Sequence, residues 1–340
     1  MKNKPGDKLY SGVSQSKIQS AHPEIDVEAF KLFVYYIKER YKIHKRKDLK
    51  HKPYPWTEDE ILQFYRFTNV RREHDKETRW LIENIAHNTE LSYENKILNC
   101  VLFRLYNNHK TSEFIGQPIN FNSKFWYKGY KQLYNKFQQE KIHNIDRKFF
   151  TSAFYTSGLK KHAKLYTPEE YEDCVEIRII FLMRYLIGSG FISRLKKAKS
   201  QRHAYQIIKD NEGIGGFLAY QIFVDLTYIP EFPYSENEFT SSGIGCEKGL
   251  KYVFKNKDHL SSEACIFWLR DNWDRLISKY QISWNADRLF SDLPIYDRCM
   301  NVMSLENCFC EFSKYMRALR GEGRPRVKYI KDGDEYVRIC

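Results

Sequence analysis

The sequence predicts an all-α protein, built as one continuous body or as two intimately packed lobes. Apolar side chains recur at helical spacing in one segment after another of the 340 residues, the signature of amphipathic helices. Strand signals are confined to one short C-terminal pair, Val327 to Ile330 with Glu335 to Ile339 across Asp332-Gly333. The composition, 42% hydrophobic with 16% aromatic, gives such a fold ample core material.

Residues 1–25 are polar and form an expected flexible N-terminus. From Asp26 to about Lys45, Phe30, Phe33, Val34 and Ile37 mark the first helix. Pro53 and Pro55 break it, and Thr57 with Glu60 has the spacing of a capping box ahead of a helix carrying Ile61, Leu62 and Tyr65. A polar junction between aromatics follows, Tyr65 to Trp80, in which Asp75 is placed to cap the helix of Trp80, Leu81 and Ile85. Ile97 to Tyr106 is an apolar helix with Arg104 and Asn107 on its polar side. Residues 109–150 interleave Trp126, Tyr127, Tyr130 and Tyr134 with lysines, a pattern that fits rings facing a core better than base stacking. Thr167-Pro168-Glu169-Glu170 carries helix-start signals for the segment through Val175, Ile179, Leu182 and Leu186 to Gly188. Later helices run from about Ser261 to Lys279 and from Ser304 to Leu319, the last with Gly321 as its C-cap. The expected division is a lobe over 26–165, a second over 166–329 and a tail over 330–340.

A formal net charge of +13 points to a polyanionic partner. The excess is patchy: Lys38 to Lys52 holds eight Lys or Arg, and Arg194 to Arg202 holds five, Lys196 and Lys197 among them, with no acid. Such runs are either solvated faces or nucleic-acid contacts. The eight cysteines show no paired CxxC and no His at zinc-site spacing, so core thiols of a cytoplasmic protein are expected, without a metal. No apolar run reaches the ~18 residues of a membrane span. GxxxxGK[ST], HExxH and GxSxG are all missing, which excludes a P-loop kinase within this sequence and implies no cofactor.

The stretch with most chemical character is Ile207 to Leu250. Gly213-Ile214-Gly215-Gly216 forms a turn opening an apolar helix, a helix-hairpin-helix pattern. Glycines there let a backbone approach closely, and the amides at a helix start donate to anions such as a DNA phosphate. A second cluster, Gly243, Gly245 and Gly249, follows. Asp225 falls on one face with Leu218 and Ile222, where a carboxylate is either paired or functional. The acidic run Ser235-Glu236-Asn237-Glu238 stands where helix-hairpin-helix DNA glycosylases place a catalytic Asp, and also reads as a surface turn. Arg66, Arg72 and Asp75 near Trp80 form either a structural network or a phosphate clamp.

Together these residues carry a resemblance. Glu39-Arg40-Tyr41, Pro55-Trp56-Thr57-Glu58-Asp59, Tyr65-Arg66-Phe67-Thr68-Asn69-Val70 with Arg72, Asp75, Thr78 and Trp80, and Phe103-Arg104-Leu105 with Asn107 resemble the helical domain of the 5-hydroxymethyluracil DNA kinase family. That domain is similar to the alpha-glutamyl/putrescinyl thymine pyrophosphorylase group. Gly215 to Gln221 with Asp225, the spaced Gly243, Gly245 and Gly249, and Glu311 to Tyr315 followed by Gly321 and Gly323 extend the resemblance to the C-terminal half. A departure is the GIGCEKG turn, where Ile244 and Cys246 replace an expected Pro-containing turn.

The resemblance implies a helix-hairpin-helix DNA glycosylase-like fold acting on modified thymine in the DNA of phage and related elements, hence in a bacterial or virus-infected cell. Carried over by position, Arg66, Asn69, Arg72, Arg104 and Asn107 would bind substrate or phosphate. Asp225, Glu236 and Asp75 would be the catalytic candidates, and Gly213, Gly215, Gly216, Gly243, Gly245, Lys196 and Lys197 would meet DNA. The implied reaction is group transfer at the base 5-methylene. The alternatives are a non-catalytic DNA-binding partner of a separate P-loop kinase, a glycosylase, or a basic helical binder of RNA or protein. The expectation linking them all is one cleft shared by Arg66, Arg72 and Asp225.

Overall fold

The computed structural model describes residues 22–151, 157–325, 327–329 and 336–338. Most of the expected N-terminal segment and of the C-terminal tail lies outside the described residues. The chain is helical almost throughout and groups into two compact units. The first comprises the chain up to Arg72 and again from Thr240 onward; the second is the stretch between, Glu73–Phe239. Lobes dividing at 165/166 are therefore not how the contacts group, because helices on both sides of that point, Tyr130–His143 and Val175–Gly188, pack together in the second unit.

In the first unit, α1 (Val27–His44) is capped by Asp26, whose carboxylate accepts the Ala29 N–H at 3.0 Å. Phe30, Phe33, Val34 and Ile37 are fully buried, as their spacing predicts. A π turn, Lys45–Leu49, continues it. α2 (Glu60–Phe64) starts from Asp59, which accepts the Leu62 N–H at 2.9 Å. The expected Thr57–Glu60 capping box does not form: the Thr57 hydroxyl donates to Glu39 of α1 at 2.9 Å, and Asp59 is the better cap.

The second unit holds α3 (Lys76–Leu81), α4 (Tyr93–Tyr106), α5 (His109–Ile115), α6 (Tyr130–His143), α7 (Ser157–Lys164), α8 (Val175–Gly188), α9 (Phe191–Lys196), α10 (Gln201–Lys209) and α11 (Gly216–Thr227). α4 is its axis, buried from Lys96 to Tyr106 and packed on both α8 and α11. Its expected polar side is thus buried as well. The Thr167 start signal misplaces α8. The Thr167 hydroxyl donates back to the Ala163 carbonyl at 2.8 Å, Glu169–Tyr171 closes only a 3-10 turn, and the helix begins at Val175. Of the rings between lysines, Trp126, Tyr130 and Tyr134 are half-buried and Tyr127 is exposed, while Leu133 and Phe137 fill the core.

The chain then returns to the first unit as α12 (Ile244–Val253), α13 (Ser262–Lys279), α14 (Ala286–Leu289) and α15 (Val302–Leu319), ending in β1 (Val327–Tyr329) antiparallel to β2 (Tyr336–Arg338). The α12–α15 contact is unusually close. A Cβ at Gly249 would stand 2.0 Å from the Phe309 carbonyl oxygen, and one at Gly245 would stand 2.5 Å from Cys310 Sγ. Two glycines one turn apart thus present a flat face to α15. On its other side α15 stacks Phe309 on Phe33 of α1, ring centroids 4.2 Å apart. Among the described residues, no helix is long and apolar enough to cross a membrane.

Candidate functional site

In the first unit the junction after α2 is clamped from two sides. Arg40 on α1 donates to the Thr68 carbonyl at 2.9 Å, the Phe67 carbonyl at 3.0 Å and Asn69 Oδ1 at 2.8 Å. From the opposite side, Asn307 of α15 donates to the Asn69 carbonyl at 2.8 Å, and Glu311 accepts the Thr68 N–H at 3.2 Å. Arg66 is half-buried, its N–H donating to the Val327 carbonyl at 3.0 Å. Asn69 is buried, with its side-chain oxygen accepting from Arg40. Arg71, which no motif singles out, is the cation most deeply buried, donating to Asp297 at 2.5 Å.

The chemically most distinctive group here is one the sequence reading missed. Glu306, near the start of α15, is almost fully buried, and burial pushes its carboxyl from 4.5 up to about 7. The Arg72 guanidinium and the Gly243 N–H oppose the shift, and Glu311 adds to it. Gly243 is the N-cap of α12, so Glu306 faces the amide end of that helix with an arginine close by. A carboxyl titrating near neutrality beside an arginine has the makings of a proton-transfer site. The signal in the sequence was an acid within an apolar helical stretch, beside Leu305, Cys308 and Phe309.

A carboxyl whose folded pKa is raised contributes its stability fully below the unfolded value and loses it as pH rises through the folded one. The protein will therefore lose up to about 3 kcal/mol of stability between about pH 4.5 and pH 7 through this group. Urea-unfolding midpoints across that range will show the fall in the wild type and a flatter profile in Glu306→Gln. Parallel profiles would remove Glu306 as the titrating group.

In the second unit, Arg104 and Asp225 form a buried pair. Arg104 Nε and Nη2 donate to the two carboxylate oxygens, each at 2.5 Å, and Nη1 donates to Asn107 Oδ1 at 2.6 Å. Asp225 has no exposure and Arg104 3%. Asn107 ends α4 in the left-handed region, φ 50°. This network joins α4 to α11 and occupies both oxygens of Asp225. Asp75 takes the N-cap position of α3. Glu236 is half-buried after α11, and Glu238 accepts from Gln201 at 2.7 Å.

The turn between α10 and α11 has the expected build. Gly213 sits at φ 80°, Ile214 is buried, and Asn211 donates to the Ile207 carbonyl at 2.8 Å, closing α10. Gly215, the N-cap of α11, is exposed, with nothing within 4 Å of the place a Cβ would take. Lys196 and Lys197 are exposed at the end of α9, Lys196 pairing with Glu94. Gly245, by contrast, is accounted for by α15. The Lys38 to Lys52 run is largely occupied: Lys42 and Arg46 meet Glu39, Lys45 meets Asp292, and Lys47 lies over Trp56 at 4.7 Å. Arg66, Asn69 and Arg72 belong to the first unit, and Asp75, Arg104, Asn107, Asp225 and Glu236 to the second.

A family model described as "5-hmdU DNA kinase, helical domain" matches residues 27–324. A 5-hmdU DNA kinase of Bacillus phage SP10 is 25% identical over 308 residues, covering 86% of this chain and 46% of the relative. The chain thus spans about half the length of that curated relative. No solved structure matches it.

Proposed function

The chain belongs to the 5-hmdU DNA kinase helical-domain family, and on that premise we propose that it handles DNA carrying 5-hydroxymethyluracil, holding the strand and presenting the modified base. The observation that carries this reading is the family match, which runs from α1 to the end of α15. The open Gly215 position in the turn, the exposed Lys196 and Lys197 and the net charge of +13 support a DNA-binding role through helix-hairpin-helix contacts with backbone phosphate. Phosphorylation is in the name of a relative about twice as long. With no P-loop motif among these residues, the role proposed for them is binding and presenting the base rather than phosphoryl transfer.

Fluorescence anisotropy at about 100 mM salt tests the reading, since such affinities have meaning only at stated salt. A duplex with one 5-hydroxymethyluracil will bind about tenfold tighter than its thymine counterpart, a difference of about 1.4 kcal/mol. Equal affinities would end the proposal.

One observation favours a second, catalytic reading: Glu306 titrates near neutrality beside Arg72. In group transfer to 5-phosphomethyluracil, Arg72 would hold the departing phosphate while Glu306 accepts the proton of an attacking amine. The carbon–oxygen bond breaks as the carbon–nitrogen bond forms. Nucleoside mass spectrometry after incubation with such DNA and candidate amines checks this. An unchanged mass with every amine would leave binding alone.

A further inference from the structure

A groove of about 500 Å³ opens on the first unit between the segment just before α1 and one face of α13. Its walls are fixed by backbone bonds. Ile25 bridges to Phe254, the Asp26 N–H donates to the Val253 carbonyl at 2.9 Å, and the Lys255 N–H donates to the Glu24 carbonyl at 2.9 Å. Asn256 donates to the His22 carbonyl at 2.8 Å and accepts the Glu24 N–H at 3.0 Å. On the opposite wall Trp268, Arg275 and Lys279 recur along α13 at spacings that share one face, with Tyr280 at its end.

Two kinds of group line the groove. Trp268 is half-buried and meets His22 edge-on at 5.9 Å, and Tyr280 is half-buried under the Lys279 ammonium at 5.1 Å. Lys255, Arg275 and Lys279 are exposed, and among the described residues none of the three makes an ion pair. Among the described residues, Glu24 is the one acid lining the groove. The contrast with Lys38 to Lys52, where Lys42, Lys45 and Arg46 meet carboxylates, is the informative part: here three cations stand beside aromatic rings with no carboxylate partner among the described residues.

We infer that this groove binds a nucleotide unit, the phosphate held by Arg275, Lys279 and Lys255 and the base laid against Trp268 and Tyr280. Cations alone would suit any polyanion, and rings alone any apolar ligand. A base on an aromatic face with its phosphate among cations uses both, and the volume is that of a small-molecule site. The same chemistry is offered by a free nucleoside monophosphate and by one residue of a DNA strand. The groove goes beyond the base-presenting role proposed above, and neither Glu306 nor a residue of the α10–α11 turn is among its lining residues.

Calorimetric titration with thymidine monophosphate, oligothymidylate and a 5-hydroxymethyluracil duplex tests it on the full chain. The substitutions are Arg275→Ser with Lys279→Ser in the groove, and Lys50→Ser with Lys52→Ser as a control at two exposed lysines elsewhere. All four change exposed side chains, and melting curves verify folding. The groove variant will weaken oligothymidylate at least tenfold and lower its salt slope by roughly 0.7 to 1.4, one or two phosphate contacts, while the control leaves both near wild type. Thymidine monophosphate binding as tightly as the oligonucleotide identifies a free nucleotide as the ligand; much tighter oligonucleotide binding identifies a strand. If neither probe binds, or if the groove and control variants behave alike, the inference is overturned. Duplex binding that keeps its base preference in that event shows that only the groove has failed. A duplex that loses its base preference counts against the earlier proposal instead.

Discussion

Replacing Asp225 with alanine will destabilise the protein by about 3 to 5 kcal/mol, the usual result of removing one member of a buried ion pair. Both carboxylate oxygens receive hydrogen bonds from Arg104 at 2.5 Å, and the partners are 0% and 3% exposed. Without the acid, the guanidinium keeps its bond to Asn107 but stays buried after losing the carboxylate that balances its charge. Arg104→Met with Asp225→Leu removes both charges and will recover most of the loss, because apolar side chains of similar volume often replace a buried pair at little cost. Urea unfolding of the two single variants and the double variant measures the coupling directly. An Asp225→Ala cost below about 1 kcal/mol would contradict the pin between α4 and α11. A folded double variant that binds DNA normally would in turn place Asp225 outside the base-handling chemistry.

The contrast between that pair and its sequence signal shows where reading ends. Helical periodicity marked the buried face of α1 and most of the buried positions of α8, α13 and α15, because local spacing alone decides which side chains share a face, while the polar side it gave α4 is buried and Leu319 is exposed. Gly321 does stand after α15, at φ 69°, and the C-terminal hairpin pairs Val327 with Arg338 in its first register position. Asp225 on an apolar stripe announced that it must be paired or functional, yet its partner lies 121 residues away and nothing local names it. The same limit hid the closure of the first unit, which depends on contacts such as Asp26 with Val253. Charge runs stay open for a related reason. A lysine that reaches a carboxylate far along the chain, as Lys45 reaches Asp292, is indistinguishable in sequence from one facing solvent. Glu306 was legible only as an acid among apolar neighbours, and its consequence appears once burial and Arg72 are both known.

The two glycine clusters, alike in sequence, will separate sharply under mutation. Gly249→Ala will lower stability by about 3 kcal/mol, because overpacking a close helix contact forces backbone to move. Its Cβ would meet the Phe309 carbonyl oxygen at 2.0 Å and the carbonyl carbon at 2.7 Å, both backbone atoms that no rotamer change can shift. α12 must withdraw from α15, loosening the core of the first unit around Leu250 and Phe312. Gly215→Ala meets nothing within 4 Å and sits at φ −75°, so it will cost no more than about 1 kcal/mol, the scale of an ordinary N-cap change. In calorimetry the Gly249 variant will melt roughly 4 °C lower, following the entropy of unfolding for a protein of this size, while Gly215→Ala stays near wild type. DNA binding will divide them the other way. Under the proposed phosphate contact, an alanine methyl at Gly215 will weaken binding while the fold is intact, whereas whatever Gly249→Ala does to binding will follow its loss of stability. Equal melting temperatures for the two variants would mean that α12 yields freely and that Gly249 has no packing role.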